Sequence, residues 1–323
     1  MKEMKYGSVT GITKPVSRLV HGTIMLSMDN IQGSYQLLDD MYALGVNTFD
    51  TAAAYPNGSE AVLLRWIAER ENHENVVVLS KCAHPNQWRE RVTPFDIRAD
   101  IMDSLAKSGT DYLDIYMLHR DNKSIEVGPI IETLNALQAE KKITVFGASN
   151  WETNRIELAN EYAYKHGFQS FTCISPHFSL GEQVENPWEG SCVTLTGAQE
   201  ETVRNQYISN QMPVFSYSTL CRGLFSGTFR STEEEKAKKI LDGAAQKGYL
   251  YDCNLQRLAR VEQLAQELQT SVPCISLAWV LQHPLNVFAL IGAENKKIME
   301  ENIEAFDIKL TEKQLKWLNL EID

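Results

Sequence analysis

The 323-residue chain has no stretch approaching the roughly 18 uninterrupted apolar residues that a membrane-spanning helix needs. Its opening, Met1-Lys2-Glu3-Met4-Lys5-Tyr6-Gly7, lacks the apolar core of a secretory leader, so the expectation is a cytoplasmic protein. Positive charge is also short. Thirty-one Lys and Arg against 42 Asp and Glu leave a formal net charge of -11. That balance argues against a general nucleic-acid or anionic-membrane surface, because gripping a polyphosphate needs a clustered positive field. Cysteine is scattered: Cys82, Cys173, Cys192, Cys221, Cys253 and Cys274 form no C-x-x-C pair. Free thiols are expected, with neither a zinc site nor a redox centre. No G-x-G-x-x-G follows a strand-like run, which leaves a Rossmann dinucleotide site unsupported. No Pro-rich or low-complexity linker divides the chain, and one domain over residues 1–323 is expected.

What is present is alternation. Short apolar runs at 18–23, 46–50, 76–81, 112–118, 144–148, 171–175, 214–217 and 287–291 read as buried strands. Stretches of helical periodicity lie between and after them, at 32–44, 60–70, 94–108, 129–141, 153–166, 199–211, 255–269, 275–283, 296–306 and 312–319. Gly45 sits where a C-cap belongs, and Ser59 reads as an N-cap. Eight strands each followed by helix predict a single (β/α)8 barrel, with Tyr6 to Val16 as an N-terminal hairpin plugging its bottom and extra helices at the C-terminus. The segments 179–201 and 218–252 read as long loops.

Four ionisable side chains fall at or just after the ends of the early strands: Asp50, Tyr55, Lys81 and His119. In such a barrel the C-terminal strand ends converge on one mouth. Tyrosine is a poor acid at neutral pH, but a neighbouring Lys81 ammonium would favour tyrosinate and ease proton donation from Tyr55. Asp50 would orient Lys81 through an ion pair, and His119 would bond the reacting carbonyl oxygen. Together they make a proton-donating oxyanion pocket that needs no metal. A buried Asp50–Lys81 ion pair of no catalytic consequence is the plainer reading of two of the four. The pocket cannot itself supply an electron pair, so a hydride donor is required.

The blocks Asp50-Thr51-Ala52-Ala53-Ala54-Tyr55, Ser59-Glu60, Leu79-Ser80-Lys81, Leu118-His119-Arg120 and Phe146-Gly147-Ala148-Ser149-Asn150-Trp151 resemble, in order and spacing, the signatures of the aldo-keto reductase superfamily. The likeness runs from Ser17-Arg18-Leu19 and Gly22-Thr23 to Gly292-Ala293 and Glu300-Glu301-Asn302. It implies a barrel that reduces carbonyl compounds with NAD(P)H. The family's catalytic group falls on Asp50, Tyr55, Lys81 and His119, with Tyr55 the general acid. Ser149 and Asn150 match the pair that bonds the nicotinamide carboxamide, and Tyr217 matches the aromatic that stacks on the nicotinamide. Ser218, Leu220 and Arg222 resemble the loop over the pyrophosphate, while Gly292, Ala293, Lys297, Glu301 and Asn302 resemble the adenosine segment. Gly22, Thr23 and Asp50 belong to the cofactor side as well.

Three departures stand out. Ser175, in Ser175-Pro176-His177-Phe178, replaces a glutamine that touches the carboxamide. Glu294-Asn295 precede Lys296-Lys297 where NADPH-favouring members carry basic or hydroxyl residues, which keeps NAD(H) open beside the NADP(H) expected of the family. The 179–201 connection carries Trp188, either a surface anchor or a wall of the substrate pocket. Met25, His84, Trp88 and Trp188, with Tyr55 and His119, are the expected pocket residues. The short tail after the last helix implies an open pocket suited to polar or sugar-like carbonyl compounds. The resemblance implies a small-molecule carbonyl substrate, with neither nucleic acid nor membrane as partner. A nicotinamide-binding sensor with little turnover, and a metal-dependent hydrolase on the same barrel, are the alternative classes.

Overall fold

The computed structural model describes residues 3–107, 109–190 and 192–323. A two-residue antiparallel pair comes first: β1 (Tyr6–Gly7) lies against β2 (Val16–Ser17), with Tyr6 opposite Ser17. Eight parallel strands follow: β3 (Leu19–Gly22), β4 (Thr48–Asp50), β5 (Val77–Cys82), β6 (Leu113–Leu118), β7 (Ile143–Ser149), β8 (Cys173–Ser175), β9 (Val214–Ser216) and β10 (Val287–Ile291). They close in the order β10-β3-β4-β5-β6-β7-β8-β9, a TIM barrel. The helices are α1 (Ile31–Ala43), α2 (Ser59–Arg70), α3 (Pro94–Ala106), α4 (Val127–Ala139), α5 (Thr153–His166), α6 (Glu201–Asn210), α7 (Glu234–Ile240), α8 (Gly243–Tyr249), α9 (Asp252–Glu267), α10 (Val272–Gln282), α11 (Lys296–Ile303) and α12 (Glu312–Leu318). Among the described residues no helix is long and apolar enough to cross a membrane.

The chain divides into two units, Lys5–Ser175 with Gly292–Lys296, and Pro176–Ile291 with Lys297–Asp323. In the first, every residue of β4, β5 and β6 is buried, which is why their apolar residues cluster in runs such as Val77–Leu79 and Ile115–Leu118 rather than alternating with exposed polar ones. Register is set strand by strand: Gly22 pairs with Asp50, Asp50 with Leu79, Lys81 with Met117, and Ser149 with Ser175. The expected N-terminal plug is tied to the N-terminal ends of the strands. Lys14 donates to His73 O, Val76 O and Asp114 Oδ1, and Tyr6 donates to Gly45 O at 2.8 Å. Asp114 in turn accepts the Val78 N–H, so one buried carboxylate joins plug to β5.

Several boundaries differ from expectation for physical reasons. Ser59 is not the cap of α2: Gly58, in a left-handed conformation, precedes the helix, and the Ser59 hydroxyl donates to Thr23 O at 2.6 Å. Helix α10 begins three residues early because Pro273 occupies its first turn, where a missing N–H costs nothing, behind a Ser271 cap. The 218–252 segment is not a bare loop but carries α7 and α8, too short to show a clear periodicity. The end expected for α3, Ser108, lies outside the described residues, and the helix closes at Ala106.

Burial also fixes a pH dependence. His21 is fully buried beside Phe49, 6.1 Å between ring centroids, and both its nitrogens lack partners among the described residues. Burial lowers its pKa from 6.5 to about 4. The folded state therefore binds this proton less readily than the unfolded state, so stability is lost as pH falls below 6.5. Between pH 7 and pH 5 the loss from His21 alone is about 2 kcal/mol. Urea unfolding at the two pH values should show it, and His21→Leu should remove that share of the slope. An equal slope in both proteins would show that other groups carry it.

Candidate active site

Asp50 ends β4 and Lys81 is the penultimate residue of β5, and both are almost fully buried, at 2% and 4% exposure. The Lys81 ammonium pairs with Asp50 Oδ1 and donates to Thr51 O at 3.0 Å. Burial raises the pKa of Asp50 and lowers that of Lys81, each opposed by attraction to the other. Half-buried Tyr55 reaches the pair from the turn before α2. Its hydroxyl donates to Asp50 Oδ2 at 3.2 Å and lies 3.5 Å from Lys81 Nζ. The His119 ring stands edge-on to Tyr55, 6.2 Å between centroids, and its buried Nδ1 has no partner among the described residues. Burial first, then the positive charge of Lys81 and the neighbouring His84 and Arg120, hold His119 well below its usual pKa, so the imidazole is neutral at physiological pH. A neutral imidazole can donate one N–H to a carbonyl oxygen without carrying charge.

The backbone around these groups is fixed by its own bonds. Thr23, expected on the cofactor side, spends its hydroxyl on Asp50 O at 3.0 Å and on Ser59 Oγ, and so braces the end of β4. At the end of β7, Ser149 donates to Ser175 O at 2.9 Å, and Asn150 adopts a left-handed φ of 58° with its amide on Ser149 Oγ at 3.1 Å. Ser175 Oγ is fully buried and has no partner among the described residues. Met25 meets Gly292 closely: a Cβ there would sit 3.3 Å from Met25 Cε. His84 stacks edge-on to His119 at 4.7 Å, whereas Trp88, expected in the pocket, is 80% exposed at the tip of a turn capped by Asn86.

In the second unit, Tyr217 follows β9 and lies between the rings of His177 at 5.8 Å and Trp188 at 5.9 Å. Arg222 pairs with Asp242 and covers the Trp188 ring at 5.1 Å. Ser218, Cys221 and Arg222 all take left-handed φ values, which gives this loop a tight curl. Asn302 is buried, its Nδ2 without a partner among the described residues, next to Glu301, whose carbonyl accepts from the Cys274 thiol at 3.0 Å. Lys297 and Glu294 are exposed.

Residues 18–319 match the model of the Aldo/keto reductase family. The chain belongs to the aldo/keto reductases. It is 26% identical over 295 residues to the NADH-specific methylglyoxal reductase of Escherichia coli (strain K12), covering 84% of this chain and 82% of that one. It is 25% identical over 317 residues to the NADP(+) aryl-alcohol dehydrogenase of Phanerodontia chrysosporium (91% and 77%). It is 25% identical over 294 residues to the norsolorinic acid reductase of Aspergillus flavus (88% and 70%). This aldo/keto reductase is an NAD(P)-dependent oxidoreductase acting on carbonyl and alcohol groups.

Some of the reductase's supporting residues were assigned no role from the sequence. Glu60, with its carboxyl raised by burial, accepts from Ser80 and from Ser104 at 2.7 Å behind Lys81. Asp96 and Asp100, one turn apart on α3, hold Arg89 and Arg91 of the loop after β5. The i, i+4 acidic pair facing two arginines was a readable signal for that brace. His177 is fully buried, bonded to Thr194 Oγ1 at 2.9 Å and Ser179 Oγ at 3.1 Å, and no local pattern announced it.

Proposed function

We propose that this reductase converts a small aldehyde or ketone to an alcohol, with Tyr55 as general acid and Lys81, Asp50 and His119 as its assistants. The observation that carries the reading is the Tyr55 hydroxyl held between Asp50 Oδ2 and Lys81 Nζ, with the His119 ring facing it. When bound, a reduced nicotinamide supplies the hydride. Tyr55 gives its proton to the carbonyl oxygen as negative charge develops there, and the neutral His119 donates a hydrogen bond to the same oxygen. The Lys81 ammonium opposes the charge left on the Tyr55 oxygen, and Asp50 keeps that ammonium oriented.

Ser149, Asn150 and Ser175 would hold the nicotinamide carboxamide. The buried, unpartnered Ser175 Oγ fits a polar group at that position, since such an atom otherwise carries a desolvation cost. The unpartnered Asn302 Nδ2 fits an acceptor such as an adenine nitrogen. Tyr217, Ser218, Leu220 and Arg222, with Gly22, Thr23, Gly292, Ala293, Lys297 and Glu301, complete the cofactor assignment by resemblance. NADP(H) is the cofactor proposed, and the exposed Glu294 carboxylate favours NAD(H) as a second reading because it repels a 2'-phosphate. Initial rates with each cofactor over simple and hydroxylated carbonyls test both. Glu294→Lys should shift the NADPH-to-NADH ratio of kcat/KM upward by about fivefold, the scale of one exposed charge interaction. An unchanged ratio would remove Glu294 from cofactor choice.

A further inference from the structure

The loop that leaves β5 sets a second histidine against the first, and its position is enforced. Ala83 adopts a left-handed φ of 57°, unfavourable for a residue with a Cβ, and its N–H donates to Asp100 Oδ2 at 2.8 Å. Arg91, also left-handed, donates to Asp100 Oδ1 at 2.5 Å and reaches His84 O at 3.5 Å. Asp100 therefore holds the backbone at Ala83 directly and at His84 through Arg91, and the ring is delivered edge-on to His119, 72° between planes.

The hydrogen bonding of that ring defines what it can receive. Its Nδ1 lies 2.8 Å from Pro85 O, and a carbonyl oxygen only accepts, so Nδ1 carries the proton. Burial lowers the His84 pKa, the Pro85 bond opposes this, and the charges of Arg120 and Arg91 lower it further. The ring is thus neutral, with a lone pair on Nε2. That atom makes no hydrogen bond within the described protein and is not sealed from solvent. Tyr55, Lys81 and a neutral His119 present donors, and the His84 ring, 4.7 Å from that of His119, adds an unbonded acceptor beside them.

We propose that His84 Nε2 accepts a hydrogen bond from a hydroxyl on the carbon next to the reacting carbonyl, making 2-hydroxy aldehydes and ketones the preferred substrate class. This rests on the reductase reading above. A carbonyl oxygen takes the donors, the neighbouring hydroxyl takes the acceptor, and an analogue with a methyl in place of that hydroxyl leaves Nε2 desolvated and unpaired.

The test compares kcat/KM for hydroxyacetone and butanone, which differ by OH against CH3, in the wild type, His84→Phe and His84→Gln. Hydroxyacetone is intrinsically the more reactive ketone, so the readout is the change in the ratio between proteins. His84→Phe keeps a ring against His119 but no acceptor, and should lower the hydroxyacetone-to-butanone ratio about tenfold. His84→Gln, which offers a carbonyl oxygen, should restore part of it. A ratio unchanged in both variants overturns the His84 assignment while leaving the reductase reading in place. If His84→Phe lowers kcat/KM for both ketones together, the ratio in His84→Gln and His84→Ala decides by the same criterion. A wild type that oxidises neither NADPH nor NADH with either ketone overturns both readings.

Discussion

Tyr55→Phe should lower carbonyl reduction by about 1,000-fold or more, the range spanned by loss of a positioned general acid. Nothing else in the described site presents a hydroxyl proton between a buried ammonium and a carboxylate. The replaced atom is one oxygen on a half-buried ring, bonded to Asp50 Oδ2 at 3.2 Å, so the fold should lose no more than about 1 kcal/mol. Affinity for the reduced cofactor, followed by quenching of protein fluorescence, should change by less than about twofold, because Tyr55 is not among the residues assigned to the carboxamide or adenosine. Activity would thus separate from binding and stability. Turnover near the wild-type value would show that the proton comes from another group.

The second large effect concerns the pair beneath it. Lys81→Met leaves the Asp50 carboxylate buried without its counter-ion, and removing one partner of such a pair costs about 3–5 kcal/mol. The pH dependence has a definite sign. Asp50 already binds its proton more tightly when folded than when unfolded, because burial raises its pKa. Without Lys81 that elevation grows, so the folded variant takes up a proton as pH falls and its deficit narrows from pH 8 towards pH 5. Asp50→Asn combined with Lys81→Met should recover most of the stability but none of the activity, with kcat still down by about 100-fold or more. Chemical denaturation across pH, read beside initial rates, checks both. A double variant that regains turnover would reduce the ion pair to a structural feature.

The barrel was legible because parallel strands buried on both faces leave unbroken apolar runs, as Val77–Leu79 and Ile115–Leu118 do. Asp50, Tyr55, Lys81 and His119 were legible because a strand end followed by a polar residue is a local pattern, and the barrel turns that pattern into proximity. The parts that were not legible depend on partners far along the chain. Ser59 resembles a helix cap in sequence, but its hydroxyl bonds Thr23, 36 residues away. Trp88 has the composition of a pocket residue, yet the Asn86 turn projects it into solvent. The tautomer of His84 follows from its contact with Pro85 and from a backbone held by Asp100, and neither can be read from the string Lys81-Cys82-Ala83-His84.

Hydride transfer to a carbonyl carbon at the site built around Tyr55 leaves an isotopic trace. The most direct measurement uses NADPH and NADH carrying deuterium at the transferable position of C4, incubated with hydroxyacetone, with mass spectrometry of the alcohol formed. One deuterium on the carbinol carbon, lost together with turnover in Tyr55→Phe, is the predicted result. Cofactor binding with no labelled alcohol from either nucleotide, over hydroxylated and simple carbonyls alike, would contradict it.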